Sequence, residues 1–475
     1  MIPGLVLSSL VSAALGTLLL RQVWPRSAGP RTWPLTLALG TGLGAGLSSV
    51  LLFLWMLGFG PTRAFPLAEA GLLAVVGLLA FARRRSTADT RSEAAGAPSR
   101  LRLGLTVAFV VMLAAAVLAF TSLLRQHPHG GWDAWMNWDL RARMFFRGGD
   151  GWQRAFSDTF PWSHPDYPPM VASLVARAWL YAGRETLLGP ALVAGTFTFA
   201  AVALLATGLA TLRSTIQGLL GGLVLLSTPF FLLHGTSLYA DVPLAFFFLA
   251  TIVCLALDDR YGAETGAFAL LAGLAAGMAM WTKNEGLLFT LSVAAGLVFA
   301  GWRADRTGTR RRLRLFGLGL LPCLILVVTF KLAFAPPNDL LSTLGVGRTL
   351  GRLTAPARYL TVVREYTSHI SGFGANGFGS TVGVLVAYLL ALGPSPSETQ
   401  RRWLLAGATG LLILLAGHFM VFVSMADELA RLLRSSLDRL LLQLWPSALF
   451  LFFLAVRTPE EAGADAVTEG RQPND

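Results

Sequence analysis

Apolar stretches of about 17–25 residues follow one another along most of this chain, and that restricts its fold more than any other feature. In hydrocarbon every backbone N–H and C=O must find a partner within the protein, so such stretches become helices. Hydrophobic residues make up 54% of the 475, charged residues only 13%, and mean hydropathy is +0.60, which excludes an ordinary soluble domain. The sequence therefore predicts an all-α polytopic membrane protein. Thirteen spans are expected, near 2–20, 34–57, 65–82, 103–124, 187–211, 216–234, 241–257, 264–281, 286–302, 315–334, 376–393, 403–424 and 440–456. The stretch 169–182 is apolar but short and carries Arg177, so it is expected to lie in the membrane interface.

Arginine placement orients the spans. With 21–33, 83–102, 212–215, 258–263, 303–314, 394–402 and the tail on the cytoplasmic side, short loops of that side hold most of the basic residues. The basic residues left outside sit mainly in the long segments 125–186, 335–375 and 425–439, which weigh little in the positive-inside rule. The N-terminus is then outside, and without a basic region before its first apolar stretch no cleaved signal peptide is expected. The polar tail 457–475 is expected to be disordered and cytoplasmic. The net charge of +12 comes from these Arg-rich loops and does not point to nucleic acid. Cys254 and Cys323 fall inside apolar spans, as inert buried thiols rather than a disulfide.

One polar, aromatic segment interrupts the apolar pattern, from about Arg125 to Glu185. It holds Trp132, Trp135, Trp138, Trp152, Trp162 and Trp179. A membrane protein that gathers acids, bases and aromatics in one such segment is expected to do its chemistry at the membrane–water interface. In WDAWMNWDLRAR, helical spacing puts Asp133, Asn137 and Arg141 on one face beside a Trp stripe. Such a helix presents a carboxylate to water, or is simply a solvated interfacial helix with an Asp–Arg pair.

Further along, HPDYPPM makes a turn in which Pro168 and Pro169 restrict the backbone. Its His164 and Asp166 either cap a helix, bind metal or contact substrate. LYADVPL sets Asp241 at the start of a span, where an acid is ordinary capping or a functional group. WTKNEG joins two spans and packs Lys283, Asn284 and Glu285 into a minimal turn, either a phosphate site or a solvated turn. The 38 basic residues include only two lysines, Lys283 and Lys331. In an Arg-biased sequence a lysine marks a place where a compact ammonium is wanted, unless it merely snorkels. Arg431, Arg434 and Arg439 precede the last span, either snorkelling or gripping a lipid phosphate. Glycines at 40, 42, 44 and 46, and at 372, 374, 377 and 379, read as close helix packing and a loop, not a nucleotide loop.

These elements, in this order, resemble the polytopic C-type glycosyltransferases (GT-C), with protein O-mannosyltransferases and lipid A aminoarabinose transferases as the nearest relatives. In those families an acidic residue follows a span early in the first large outer loop; WDAWMNWDLRA supplies Asp133 there, with Asp139 as a rival. Tyr167-Pro168-Pro169-Met170 matches a Pro-Pro-Leu-like turn, and Asp241-Val242-Pro243-Leu244 an outer Asp-x-Pro-Leu. GLAAGMAMWTKNEG matches a Gly-rich span followed by Thr-Lys, at Lys283. Ser436-Leu437-Asp438-Arg439-Leu440-Leu441, with Pro446 beyond, matches a late Ser-x-x-Arg element. The resemblance covers 103–456, leaving 1–102 as extra N-terminal spans. It departs from the family in having no adjacent Asp-Glu pair and no large C-terminal soluble domain.

The resemblance implies a membrane enzyme of the cell envelope, in a bacterial cytoplasmic membrane with its site facing outward. It would move a sugar from polyprenyl phosphate to a hydroxyl of a glycan, lipid or protein acceptor, with inversion. Asp133 or Asp139 would be the base. Asn137, Arg141, His164, Asp166, Tyr167, Asp241, Lys283, Glu285, Arg434 and Arg439 would bind substrate. Some relatives use a divalent metal, for which the sequence has no clear ligand set. The alternative is a transporter or flippase of a lipid-linked saccharide, which would need polar groups deep in the spans. His418 is the main such group.

Overall fold

The computed structural model describes residues 1–25, 29, 32–82, 99–301, 306–338, 346–374, 380–395, 398–425 and 429–462. Among these residues the fold is helical throughout, with no strand and one isolated bridge, Pro394 to Val456. The helices are α1 (Ile2–Val23), α2 (Trp33–Phe59), α3 (Phe65–Ala82), α4 (Arg100–Gln126), α5 (Asp139–Arg147), α6 (Met170–Ala182), α7 (Leu188–Leu212), α8 (Thr215–Leu226) and α9 (Pro229–Thr236). They continue as α10 (Asp241–Thr265), α11 (Ala267–Thr282), α12 (Glu285–Gly301), α13 (Arg306–Ala333), α14 (Val346–Leu353), α15 (Pro356–Gly372), α16 (Thr381–Leu392), α17 (Glu398–Met425) and α18 (Leu429–Ala455).

Nine of the helices among the described residues are long and apolar enough to cross a membrane, or ten with α8 and α9 counted as one span bent by 63°. The break falls before Pro229, which cannot donate to the preceding turn. This is the make-up of a multi-pass membrane protein. Three expected spans, 264–281, 286–302 and 376–393, correspond to α11, α12 and α16, of 16, 17 and 12 residues. A count of thirteen spans is thus not reached.

Helix α10 lies at the centre. It is apolar all round, so no face can be left in water. Every residue from Val242 to Leu257 is buried, and α7, α11 and α18 pack against it. Helices α3 and α4, by contrast, bury little and lie at the periphery. Small residues bring α1 and α2 into contact, as the glycine pattern at 40–46 anticipates. A Cβ on Gly44 would stand 1.9 Å from the Ser12 carbonyl oxygen, so only glycine fits that crossing. Gly377 and Gly379 lie outside the described residues. Cys254 and Cys323 are free and buried, in keeping with the sequence.

Part of the segment between α4 and α7 packs into the bundle. Phe145, Trp152 and Phe156 meet Phe53 of α2 and Phe330 and Phe334 at the end of α13 in one aromatic cluster. Helix α6 is not open to the surface as an interfacial helix would be: every residue from Met170 to Leu180 is buried. Its Arg177 pairs with Glu69 of α3 at 2.8 Å and also donates to the Ser8 carbonyl of α1. The charge that set 169–182 apart in the sequence is thus neutralised inside the bundle. At the other end, the tail does not leave the protein at 457. Thr458 and Glu461 cap each other's N–H groups, and Arg213 binds Glu461 at 3.0 Å. The rest of the tail, 463–475, lies outside the described residues.

Candidate functional site

Four chain segments converge at one end of the bundle: the turn after α4, the start of α10, the α11–α12 turn and the third turn of α18. Asp241 is their meeting point. Its carboxylate is wholly buried. Oδ1 accepts from Lys283 Nζ at 3.1 Å and from Gln443 Nε2 at 2.6 Å. Oδ2 accepts from Arg439 Nε at 3.1 Å and Nη2 at 2.8 Å. A buried carboxylate is tolerable only when paired and fully hydrogen-bonded, and this one is both. A helix-capping role is not seen: no side-chain cap bond is made at the start of α10.

Arg439 extends the network outward. The same Nη2 donates to Asp133 Oδ2 at 2.6 Å, and the guanidinium lies 4.6 Å over the Tyr239 ring. Among the described residues its Nη1 makes no hydrogen bond, and the side chain is 20% exposed. The Asp133 side chain is 22% exposed, whereas that of Asp241 is 0% exposed. One carboxylate is thus partly open and the other enclosed. The turn carrying Asp133 is pinned by Gly131 N–H donating to the Ser237 carbonyl at 3.0 Å.

Lys283 sits where α11 ends, its backbone extended, with Nζ between Asp241 and Glu285 Oε1 at 2.7 Å. Gly286 makes this turn possible, because a Cβ there would lie 2.2 Å from the Ala279 carbonyl. Burial works against the ammonium, but Asp241 and Glu285 outweigh it and hold Lys283 above the ordinary lysine range. Glu285 keeps one buried oxygen, Oε2, without a hydrogen bond.

Asp166 braces that turn. It accepts from Asn284 Nδ2 at 2.8 Å, from Asn338 Nδ2 at 2.6 Å and from Lys331, which also donates to the Asp166 carbonyl. Lys331 is therefore a strut, not a snorkelling surface lysine. Tyr167 lies between Trp138, stacked at 5.9 Å, and Lys283, 5.8 Å from its ring. Burial foremost, then Glu285, holds the Tyr167 hydroxyl above its usual range, so it remains neutral. His164 is exposed, left-handed in backbone and stacked on Tyr167.

The helix expected through WDAWMNWDLRAR is not regular. Residues Ala134–Trp138 form a π-helical turn. The wider turn breaks the i, i+4, i+8 face. Trp132 and Trp135 stay exposed but Trp138 turns inward and is buried. Asn137 and Arg141 are buried too, and Arg141 donates to the Asn137 and Tyr167 carbonyls. Burial draws the Arg141 guanidinium down to about 10, with Asp166 opposing. Asp139 lies apart from the Asp241 network. It is buried, and burial pushes its carboxyl up to about 7, partly opposed by Arg143. Arg434 is exposed and touches none of these groups.

Gln443 and Tyr239 were not among the sequence candidates. The sequence carries a signal for Gln443: an amide one turn beyond Arg439, where the helix turns apolar. Tyr239 stands two residues before Asp241, on a side its spacing alone does not reveal. Among the described residues no three His, Cys, Asp or Glu side chains could hold a metal ion. Asp133, Asp241 and Glu285 each already accept from a cation of the chain itself. No family model, curated protein or solved structure matches this chain.

Proposed function

We propose that this protein is an inverting membrane glycosyltransferase that moves a sugar from a polyprenyl-phosphate donor to an acceptor hydroxyl at the outer membrane face. The observation that carries this reading is the Asp133–Arg439–Asp241–Lys283 chain: a partly exposed carboxylate beside two cations held rigid by a buried one. Asp133 takes the proton of the acceptor hydroxyl as that oxygen attacks the anomeric carbon. The bond from that carbon to the phosphate oxygen breaks, and the lipid phosphate leaves with the electron pair. Arg439, through its Nη1, and Lys283, through its third N–H, stabilise the departing charge. Preorganisation by Asp241 and Gln443 means neither cation must reorient during the reaction.

The test follows both possible products in one vesicle preparation. Sugar transfer with release of free polyprenyl phosphate is expected. Movement of the lipid-linked sugar between leaflets without that release would replace this reading with a flippase. Orientation is checked by a membrane-impermeant thiol reagent, which should reach Asp150→Cys from outside and Arg310→Cys only after lysis.

A further inference from the structure

A recess lies beside the Arg439 network, where Asp438 and the glycines at 372 and 374 meet. It has a volume of about 340 Å³ and is lined by Pro229, Phe230, His369, Phe373 and Asp438, among others. Asp438 precedes Arg439 on α18. Its Oδ1 pairs with His369 Nδ1 at 2.6 Å, and Glu365 stands 3.5 Å from the other ring nitrogen. The Asp438 side chain is 39% exposed, and its Oδ2 makes no hydrogen bond. Two aromatic rings, Phe230 and Phe373, meet at 5.9 Å along the wall.

Directly below runs an apolar slot of about 230 Å³ that shares Phe373 with the recess. Leu441, Leu444, Trp445 and Ala448 continue the stripe that Asp438 begins on α18, and Leu411, Leu412 and Leu415 of α17 close the other side. Leu412 is 65% exposed, so the slot opens sideways where the bilayer would lie. A polar recess over a side-open apolar slot matches an amphiphile, with one end hydrogen-bonding and the other a hydrocarbon chain.

The charge selects the head. The described residues lining the recess include no Lys or Arg, and a carboxylate stands open in it. A phosphate there would face the open Asp438 carboxylate and be repelled. A hydroxyl-rich neutral head can instead donate to Asp438 and lay its apolar face on Phe230 and Phe373. Ring contacts connect the recess wall to the Arg439 network. Phe230 contacts His234 at 4.0 Å, His234 contacts Tyr239 at 5.9 Å, and Tyr239 lies under Arg439, which binds Asp133.

We propose that this composite pocket binds a lipid with an uncharged, polyhydroxylated headgroup, its chain in the slot between α15, α17 and α18. Its role as the sugar acceptor rests on the function proposed above; its binding does not.

The test uses the full chain in phosphatidylcholine nanodiscs and a long-chain alkyl glucoside with a diazirine near the end of its chain. Irradiation should label residues 411–415 and 441–448. Excess unlabelled alkyl glucoside should compete, and glucose or the matching alkyl phosphate should not. Asp438→Asn, which keeps the shape, should weaken labelling roughly tenfold, the scale of a lost hydrogen bond to a charged group. Ala448→Phe should block the slot independently. Equal labelling by the alkyl phosphate or by a diazirine phospholipid, or labelling unchanged in both variants, overturns the site. If labelling behaves as expected and donor is cleaved but the glucoside gains no sugar, the acceptor role falls. Absence of any donor cleavage counts against the glycosyltransferase reading alone.

Discussion

Asp133 and Asp241 accept hydrogen bonds from the same nitrogen, Nη2 of Arg439, at 2.6 and 2.8 Å. Two carboxylates held by one guanidinium are not equivalent here. Asp241 has further donors in Lys283 and Gln443 and no exposure, whereas Asp133 has a single hydrogen-bonded partner and an open side. Only Asp133 can exchange that partner for a substrate without leaving a buried charge behind.

Contact with Arg439 separates Asp133 from Asp139, the two carboxylates named as base candidates. Asp133→Asn should leave the protein folded and lower transfer at least ~100-fold, the scale of a positioned base. Asp139→Asn should leave transfer within a few-fold of wild type, because Asp139 does not touch the network. Both are read from sugar transfer with a polyprenyl-phosphate donor, and the opposite ranking would move the base to Asp139.

Asp139 also predicts a pH effect on stability. Its folded value is raised from 3.8 to about 7, so folding favours the protonated form. The stability it contributes is complete below its unfolded value and is lost as pH rises through about 7. Thermal unfolding of wild type and Asp139→Asn should therefore agree near pH 4, with the variant more stable at pH 8. Parallel curves across that range would show that the carboxyl is not desolvated.

Lys283→Ala should weaken donor binding and slow transfer together, since the charge acts on the phosphate before and during departure. Lys283→Arg should restore activity only in part, because the guanidinium is larger and planar. Removing one partner of a buried pair also destabilises, by about 3–5 kcal/mol. The double variant with Asp241→Asn should recover stability but not transfer. Recovery of both would make Lys283 purely structural.

Gln443→Leu removes one donor from a wholly buried carboxylate and should cost about 1–3 kcal/mol of stability. Gln443→Glu sets a second acid against Asp241 and should be worse at pH 8 than at pH 5, measured by melting in detergent. Equal melting of the two variants at both pH values would remove Gln443 from the network.

Arg177→Met leaves Glu69 buried and unpaired and should cost about 3–5 kcal/mol, whereas Glu69→Leu with Arg177→Met should restore most of it. The measurement is unfolding midpoint against denaturant. No recovery in the double variant would mean that the Ser8 carbonyl contact, not the ion pair, holds α6 to α1 and α3.

Local chemistry made part of this protein legible from its residues alone. Long apolar runs must become helices wherever water is absent, so most spans, the buried thiols and the glycine contact at Gly44 follow from composition and spacing. The same reading picked out Asp133, Asp241, Lys283 and Arg439, because charge next to an apolar span needs a reason. What spacing cannot encode is which distant groups share a cavity. Ion pairing between α10, α11 and α18 is set by helix packing in three dimensions, so the tertiary structure alone joined these four side chains and added Gln443 and Tyr239. It likewise decided that Asp139, Arg141 and Asn137 turn inward on a π-helical turn, since that register depends on the packing of Trp138 and Tyr167. The head recess and apolar slot at Phe373 arise only where α9, α15, α17 and α18 meet, which spacing along the chain does not encode.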